Sequence, residues 1–236
     1  MRILSLLAAT ALTASSFAAQ QAAPKPKPKP KAKASTTSKS AKAPAQPASA
    51  VAPAPAPKPK LKPRVALETS YGPVVVELEA EAAPQTVANF LAYVRSGHYE
   101  NTVFHRVIRG FMVQGGGFEE NLEEKRTLPP IPNEAPRTFR AGLKNTRGTL
   151  AMARTSEPHS ATSQFYINTV DNPMLDFKAE TPDGIGYCAF GRVVEGMEAV
   201  DKIEKVRTVW RRGMQDVPEY AVKIKRARIL PEPSAK

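Results

Sequence analysis

From Arg64 onward the chain consists of short segments in which apolar and polar residues alternate. The first two segments, RVALETS and PVVVELEA, flank Tyr71-Gly72-Pro73, and they predict a β-hairpin because turn residues separate two runs of period two. The later segments with this pattern are TVFHRVI, FMVQGG, GTLAMAR, QFYINTV, YCAFGRVV and AVKIKRARIL. The pattern therefore predicts eight short strands.

Two segments follow the helical period instead. The first begins with Pro84, since proline is favoured in the first turn of a helix, and it ends at Ser96-Gly97. The residues that form one apolar stripe are Val87, Phe90, Leu91 and Val94 in this helix, and Met197, Val200, Ile203 and Val206 in a second, shorter helix. Each helix is therefore predicted to pack one face on the sheet.

The number of strands bears on the fold class. Eight short strands would leave exposed edges unless the sheet closes on itself. We therefore predict a mainly β fold, a closed eight-stranded antiparallel β-barrel capped by two α-helices. The segment 119–147 is polar and rich in proline, and we interpret it as a long surface loop of the kind that often carries function.

The N-terminal part of the chain differs in composition from the rest. Residues 1–19 combine a basic second residue, a short apolar segment and small residues near Ala18, which is typical of a cleavable signal peptide. Residues 20–63 are rich in Lys, Pro and Ala, with almost no large apolar side chain, so we predict a disordered linker. The globular domain is then 64–236. We expect a bacterial periplasmic location, with no integral membrane segment after cleavage.

The positive charge of the chain belongs mostly to its N-terminal part. Residues 1–63 contain eleven basic and no acidic side chains, whereas residues 64–236 contain 23 basic and 22 acidic ones. A domain of nearly zero net charge gives no reason to expect nucleic-acid binding. The basic segment is either a solubilising spacer or a weak contact with an anionic envelope surface, and both alternatives stay open.

Several common catalytic sites are excluded by the sequence. It contains no GxSxG nucleophile elbow, no phosphate-binding GxxxxGK[ST] loop and no dinucleotide-binding GxGxxG motif. The spacing of His98, His105 and His159 fits no metal motif, and the single Cys188 lies in an apolar run that favours a buried, unreactive thiol. An enzyme with this sequence would use neither a metal nor a cofactor.

The segment FHRVIRGFMVQGGGF, residues 104–118, places polar side chains within a strand-forming apolar run. An isolated arginine on a strand usually extends its charge into solvent, and Arg106 alone would suggest nothing more. Further polar residues in apolar segments are Gln114, Asn145, Arg154, Gln164 and Asn168. Because they occur together, they favour a binding site. The residues of the segment expected in the barrel interior are Phe104, Val107, Ile108 and Val113.

Three segments together resemble the cyclophilin family of peptidyl-prolyl cis/trans isomerases: FHRVIRGFMVQGGGF, LAMARTSEPHSATSQFYIN and YCAFGRVVEGM. The resemblance extends from about Val65 to Leu230 and is to the exported bacterial branch in particular. It implies an eight-stranded antiparallel barrel with two helices and rotation about X-Pro bonds without a cofactor. It also implies proline-containing unfolded or exported polypeptides as partners.

The resemblance implies roles for individual residues. Arg106 corresponds to the catalytic arginine of the family. The residues at substrate-binding positions are Phe111, Met112, Gln114, Ala153, Arg154, Thr155, Gln164, Tyr166, Leu175 and Tyr187. Met174 stands where many eukaryotic members have tryptophan, which implies weak cyclosporin binding. Tyr166 adds a hydroxyl where phenylalanine is common, and this hydroxyl either forms a hydrogen bond at the pocket rim or lowers the affinity for proline.

We therefore interpret the chain as a monomeric, periplasmic isomerase that assists the folding of exported proteins. The alternative is a non-catalytic module that binds proline-containing peptides or acts as a chaperone through the same groove. A third hypothesis is a structural envelope protein that is organised by its Lys-Pro segment. It predicts that deletion of residues 20–62 abolishes function while isomerase activity survives.

Overall fold

The computed structural model describes residues 62–231. The predicted signal peptide and all but the last two residues of the predicted linker lie outside the described residues, and both stay predictions. Between residues 62 and 231 there is no helix that is long and apolar enough to span a membrane.

Every segment that was predicted to be a strand contains one. The strands of residues 62–231 are β1 (Arg64–Thr69), β2 (Gly72–Leu78), β3 (Thr102–Ile108), β4 (Met112–Glu119), β5 (Thr149–Met152), β6 (Phe165–Asn168), β7 (Ala189–Glu195), β8 (Thr208–Arg211), β9 (Met214–Pro218) and β10 (Lys223–Ile229). Eight of them form a closed barrel in the order β1-β10-β3-β4-β6-β5-β7-β2. All neighbouring strands are antiparallel, so the predicted fold class is confirmed.

The two remaining strands, β8 and β9, form a separate hairpin that the sequence pattern did not predict. Their sequence, TVWRRGMQDVP, has no regular alternation of apolar and polar residues. The hairpin packs against β3.

Both predicted helices are present. The first predicted helix is α1 (Pro84–Arg95) and the second is α3 (Met197–Glu204). A further short helix, α2 (Ala135–Arg140), lies between them in the sequence. In α1 the buried face includes Phe90, whose ring lies 5.1–5.5 Å from three other aromatic rings of the core, measured between centroids. Contacts of this kind exclude water and fix α1 on the barrel.

Segment 119–147 is mostly an exposed loop, as predicted, but it also contains helix α2 and a buried carboxylate that the prediction missed. Glu134 of this segment is buried, and its carboxylate accepts hydrogen bonds from the backbone N–H and the hydroxyl of Thr86, both at 2.8 Å. Residue Ala83, which precedes α1, provides no side-chain cap. The first N–H groups of a helix need acceptors, and a carboxylate there also interacts favourably with the helix dipole. Glu134 therefore caps α1 from 48 residues away in the sequence.

The alternation of side chains along the strands divides the apolar residues into two clusters. Leu150, Val113 and Ile167 belong to the main core that includes the barrel interior and α1. Their neighbours in sequence belong to a smaller cluster, hereafter the outer cluster, whose buried members are Met112, Leu143, Ala151, Tyr166 and Ala189. Ile108 packs against the outer cluster, so its assignment to the barrel interior was wrong. Successive residues of a strand point to opposite faces, and β3 has Ile108 on the outer one.

Candidate active site

A cavity of about 100 Å³, hereafter the first cavity, opens over the outer cluster. Its lining residues are Arg106, Phe111, Met112, Gln114, Ala153, Arg154, Tyr166, Leu175 and Tyr187. All nine are among the site residues that the family resemblance implies. Thr155 and Gln164 are the two candidates that do not line this cavity.

The polar edge of the first cavity is formed by β3 and β4. Arg106 and Gln114 are paired across these two antiparallel strands, which places both side chains at the cavity. The Arg106 side chain is 45% exposed. Since a guanidinium keeps its charge at any physiological pH, the cavity has a permanent cation and several N–H donors at its edge.

Gln164 lies next to the cavity and orients Gln114. The Gln114 side-chain amide donates to Oε1 of Gln164 at 3.0 Å, and the Gln164 amide donates to Oε1 of Glu124 at 3.4 Å. The amide oxygen of Gln114 is not used in this chain of bonds. Thr155 is exposed and donates its hydroxyl hydrogen to Oγ of Ser160, so its side chain serves a turn rather than the cavity.

Glycines at the end of β4 make room for this arrangement. Gly116 has φ of +86°, in the left-handed region that glycine tolerates best. A Cβ atom on Gly117 would overlap the side chain of Gln164. The three consecutive glycines are thus explained in part by a close approach of β4 to the residue that holds Gln114.

Apolar side chains from four parts of the chain form the walls of the cavity. Met112 is 2% exposed and lies on β4, whereas Leu175 ends a short 3₁₀ turn. The Tyr166 and Tyr187 rings meet nearly edge to face, with centroids 6.0 Å apart. Such contacts make a rigid apolar surface that favours burial of an apolar group.

Beneath the walls, a network of amide side chains holds the backbone of the site. The Asn145 amide donates to the carbonyl oxygens of Leu175 and Tyr187 at 3.2 and 3.3 Å, and to Oδ1 of Asp176 at 3.1 Å. The Asn172 amide donates to the carbonyl oxygen of Phe111 at 2.9 Å. Three of the cavity-lining residues are therefore fixed by asparagines that do not themselves line the cavity.

The Tyr166 hydroxyl belongs to this network and not to the rim of the cavity. It donates to Oδ1 of Asn145 at 3.0 Å, and burial raises the pKa of Tyr166 well above its ordinary value. Of the two predicted roles for this hydroxyl, the structure favours a hydrogen bond, but with a partner underneath the cavity.

Arg154 forms the remaining wall with its side chain and leaves its backbone unpaired. Its guanidinium lies 4.5 Å from the centroid of the Tyr187 ring, and its Nε donates to the carbonyl oxygen of Gly186 at 3.1 Å. Within residues 62–231, neither the backbone N–H nor the backbone C=O of Arg154 makes a hydrogen bond. These two groups are available to an extended peptide, as a free strand edge would be.

The histidines and the cysteine take no part in the first cavity. Burial lowers the pKa of His105 to about 4, so its ring is neutral at pH 7. Burial also raises the pKa of the Cys188 thiol to about 12. No group of three or more potential metal ligands occurs in the part of the chain that the structure describes.

The comparisons with known proteins agree with this geometry. The family model of the cyclophilin type peptidyl-prolyl cis-trans isomerases matches residues 64–229. The chain belongs to the cyclophilin family. Peptidyl-prolyl cis-trans isomerase cyp18 of Streptomyces antibioticus is 55% identical to this cyclophilin over 166 residues, which are 70% of this chain and 98% of that protein. Peptidyl-prolyl cis-trans isomerase B of Escherichia coli K12 is 57% identical over 159 residues, 67% of this chain and 94% of that protein.

A solved structure shows the same fold. It is a cyclophilin type peptidyl-prolyl cis-trans isomerase of Cryptosporidium parvum, crystallised in the presence of the dipeptide Ala-Pro. The similarity has a TM-score of 0.55 and 28% sequence identity, and it covers 72% of this chain and 99% of that chain.

Sequence reasoning missed some residues that shape the site of this cyclophilin. Asn145 and Asn168 had been noticed as polar residues in apolar segments, and that signal was informative, since both belong to the network below the cavity. Asn172, which donates to Asn168, lies directly before the short 3₁₀ helix Pro173–Leu175, a position where an asparagine is ordinary. Asp216, which lies close to Arg106, gave no signal because its hairpin was not predicted.

Proposed function

We propose that this cyclophilin accelerates cis/trans rotation about X-Pro bonds of polypeptides, with Arg106 as the catalytic residue. The observation that carries the proposal is the guanidinium of Arg106 at the edge of a small apolar cavity, with an unpaired backbone segment at Arg154 on the same cavity. The names of its relatives support the same activity.

The chemistry of the reaction explains why a charged donor is needed. Rotation about the X-Pro bond must break amide resonance, with a barrier of about 18–20 kcal/mol. In the twisted transition state the proline nitrogen regains its lone pair and becomes a hydrogen-bond acceptor. A donor aimed at this nitrogen stabilises the transition state but not the planar ground state, which is the condition for catalysis.

The other residues of the cavity hold the peptide while one side of the bond turns. Phe111, Met112 and Leu175 would enclose the pyrrolidine ring and exclude water. The backbone of Arg154 and the amide of Gln114 would bind the residue before proline. A dry environment favours the twisted amide further, because it is less dipolar than the planar one. The proposed mechanism has no covalent step and needs no cofactor.

The magnitude required is within reach of this arrangement. A thousandfold acceleration corresponds to about 4 kcal/mol in the activation free energy. One hydrogen bond to a charged group contributes about 1.5–3 kcal/mol, and the exclusion of water supplies the rest.

The test is an isomerase assay on a short X-Pro peptide with the variant Arg106→Ala. Loss of one charged hydrogen bond should lower kcat/KM by about 10- to 100-fold, with the folded state intact by circular dichroism. Arg109→Ala is the matched control, since Arg109 is exposed nearby and donates to the carbonyl oxygen of Lys205 at 3.3 Å. Arg109→Ala should leave kcat/KM unchanged. Wild-type binding of proline peptides without faster exchange would indicate a non-catalytic binding module instead.

We further propose that the protein is exported to the periplasm and acts there on exported proteins. The support is the sequence of residues 1–19, with its short apolar segment and small residues before a cleavage position near Ala18. N-terminal sequencing of the protein from a periplasmic fraction should give a chain that begins close to Ala19. Recovery of the full-length chain from the cytoplasm would contradict this proposal.

A further inference from the structure

The hairpin β8–β9 brings an acidic side chain to Arg106. Oδ2 of Asp216 lies 4.0 Å from Nε of Arg106, and β9 packs against β3, which carries the arginine. Within residues 62–231, no other acidic side chain forms an ion pair with Arg106. The structure assigns Asp216 as a positioning residue for the Arg106 guanidinium, an assignment that rests on the proposed isomerase function.

Asp216 approaches the guanidinium from outside the first cavity. A second cavity lies between the hairpin and β3, and its lining residues are His105, Arg106, Phe118, Gln164, Met214, Gln215 and Asp216. Arg106 lines both cavities, whereas Asp216 lines only the second. The carboxylate can therefore hold the guanidinium without occupying the space of the substrate proline, and Nε is the nitrogen nearest to it.

Asp216 itself is fixed in place by its hairpin. Its φ is +60°, in the left-handed region that asparagine and aspartate adopt more readily than other non-glycine residues. The next residue, Val217, is 3% exposed, and Pro218 is buried as well. The pairing of β8 with β9 is also irregular between Val209 and Arg211. A buried anchor next to a left-handed residue directs the carboxylate towards β3 without the need for a long, flexible side chain.

The arginine needs such a partner. Its side chain is 45% exposed and donates no hydrogen bond within residues 62–231, so burial and hydrogen bonding do not select one rotamer. An arginine side chain has large rotamer entropy, and a catalytic donor is effective only when it is oriented before the charge develops. The neighbouring His105 ring does not compete for the carboxylate, because burial lowers its pKa to about 4 and it is neutral at pH 7. The carboxylate is thus the group that limits where the guanidinium can be.

The test is a double-mutant cycle of Asp216→Asn with Arg106→Ala, measured as isomerisation of a neutral proline peptide. Asparagine tolerates the left-handed backbone, so the exchange removes charge with little change of shape. An exposed ion pair of this kind corresponds to about a two- to fivefold effect. We expect Asp216→Asn to lower kcat by this factor with KM nearly unchanged, since the donor acts in the transition state. In the Arg106→Ala background the same substitution should change nothing.

Glu219→Gln supplies the matched control, directly after the same hairpin. Oε1 of Glu219 lies 3.6 Å from Nη1 of Arg207, a comparable exposed pair that does not reach Arg106. This variant should retain the wild-type kcat. The assignment would be overturned if Glu219→Gln lost as much kcat as Asp216→Asn, or if Asp216→Asn still lowered kcat in the Arg106→Ala background. It would also be overturned if Asp216→Asn left kcat unchanged or raised it. An inactive wild-type protein would instead contradict the proposed function.

Discussion

Replacement of Tyr166 by phenylalanine removes a single hydroxyl group from the floor of the first cavity. The residue is 4% exposed, and its hydroxyl donates one hydrogen bond, to Oδ1 of Asn145 at 3.0 Å. Asn145 does not line the cavity, so the hydroxyl lies on the side away from the substrate. The substitution should therefore affect the stability of the domain and leave the binding of proline nearly unchanged.

The size of the effect follows from the hydrogen bonds that remain. A neutral hydrogen bond contributes about 0.5–1.5 kcal/mol to the free energy of unfolding. Oδ1 of Asn145 still accepts a hydrogen bond from the Asn168 amide at 3.4 Å, so the substitution leaves no buried acceptor without a partner. We therefore expect a loss of about 1 kcal/mol, which lowers Tm by about 2–4 °C for a domain of this size.

Thermal unfolding by circular dichroism and the affinity for a proline peptide are the two measurements. The Kd of the peptide should stay within about twofold of the wild-type value, since a twofold change is only about 0.4 kcal/mol. Tyr187→Phe is the control, because the Tyr187 hydroxyl makes no hydrogen bond within residues 62–231 and its loss should not change Tm. An unchanged Tm of Tyr166→Phe together with a fivefold change in Kd would refute the reasoning.

Two predictions concern buried titratable groups. The pKa of His105 is about 4 in the folded protein and about 6.5 in the unfolded chain, so the unfolded chain binds more protons between these values. The contribution of His105 to the free energy of unfolding is therefore fully present above pH 6.5. It falls by roughly 3 kcal/mol as the pH drops to 4. His98 adds a loss of the same sign because its pKa is also lowered by burial. Urea unfolding of His105→Asn at pH 7 and pH 4 should show a smaller difference than wild type, and an equal difference would contradict the prediction. The Cys188 thiol, with its pKa raised to about 12, should react with a disulfide reagent only under unfolding conditions; rapid labelling of the folded protein would show that it is accessible.

The strands and two helices could be predicted from the sequence because their information is local, whereas most of the cavity residues were implied by the resemblance to the cyclophilin family. Alternation and helical spacing depend on neighbours within a few residues, and the motif around Arg106 determines which side chains meet at one strand pair. The capping of α1 by Glu134 could not be predicted this way, because the two partners are 48 residues apart. Segment 119–147 was therefore interpreted as a loop even though it holds a helix start in place.

The contact between Asp216 and Arg106 was missed for a related reason. The hairpin β8–β9 has two non-glycine residues with positive φ, Arg212 and Asp216, and an irregular register, and both features disturb the alternation that reveals a strand. Ile108 was misplaced because an apolar residue on the outer face of the barrel looks like a core residue in the sequence. The outer face is apolar at that point because it carries the site.

The position of β10 determines when the barrel can be completed during synthesis. This strand, Lys223–Ile229, lies between β1 and β3, so the ring stays open until β10 itself has left the ribosome. Until then β1 and β3 present unpaired edges, and the long sequence separation between β1 and β10 makes closure a late event. A nascent or truncated chain that ends before Lys223 would therefore lack one strand of the barrel, and its unpaired strand edges would be prone to pair with other chains.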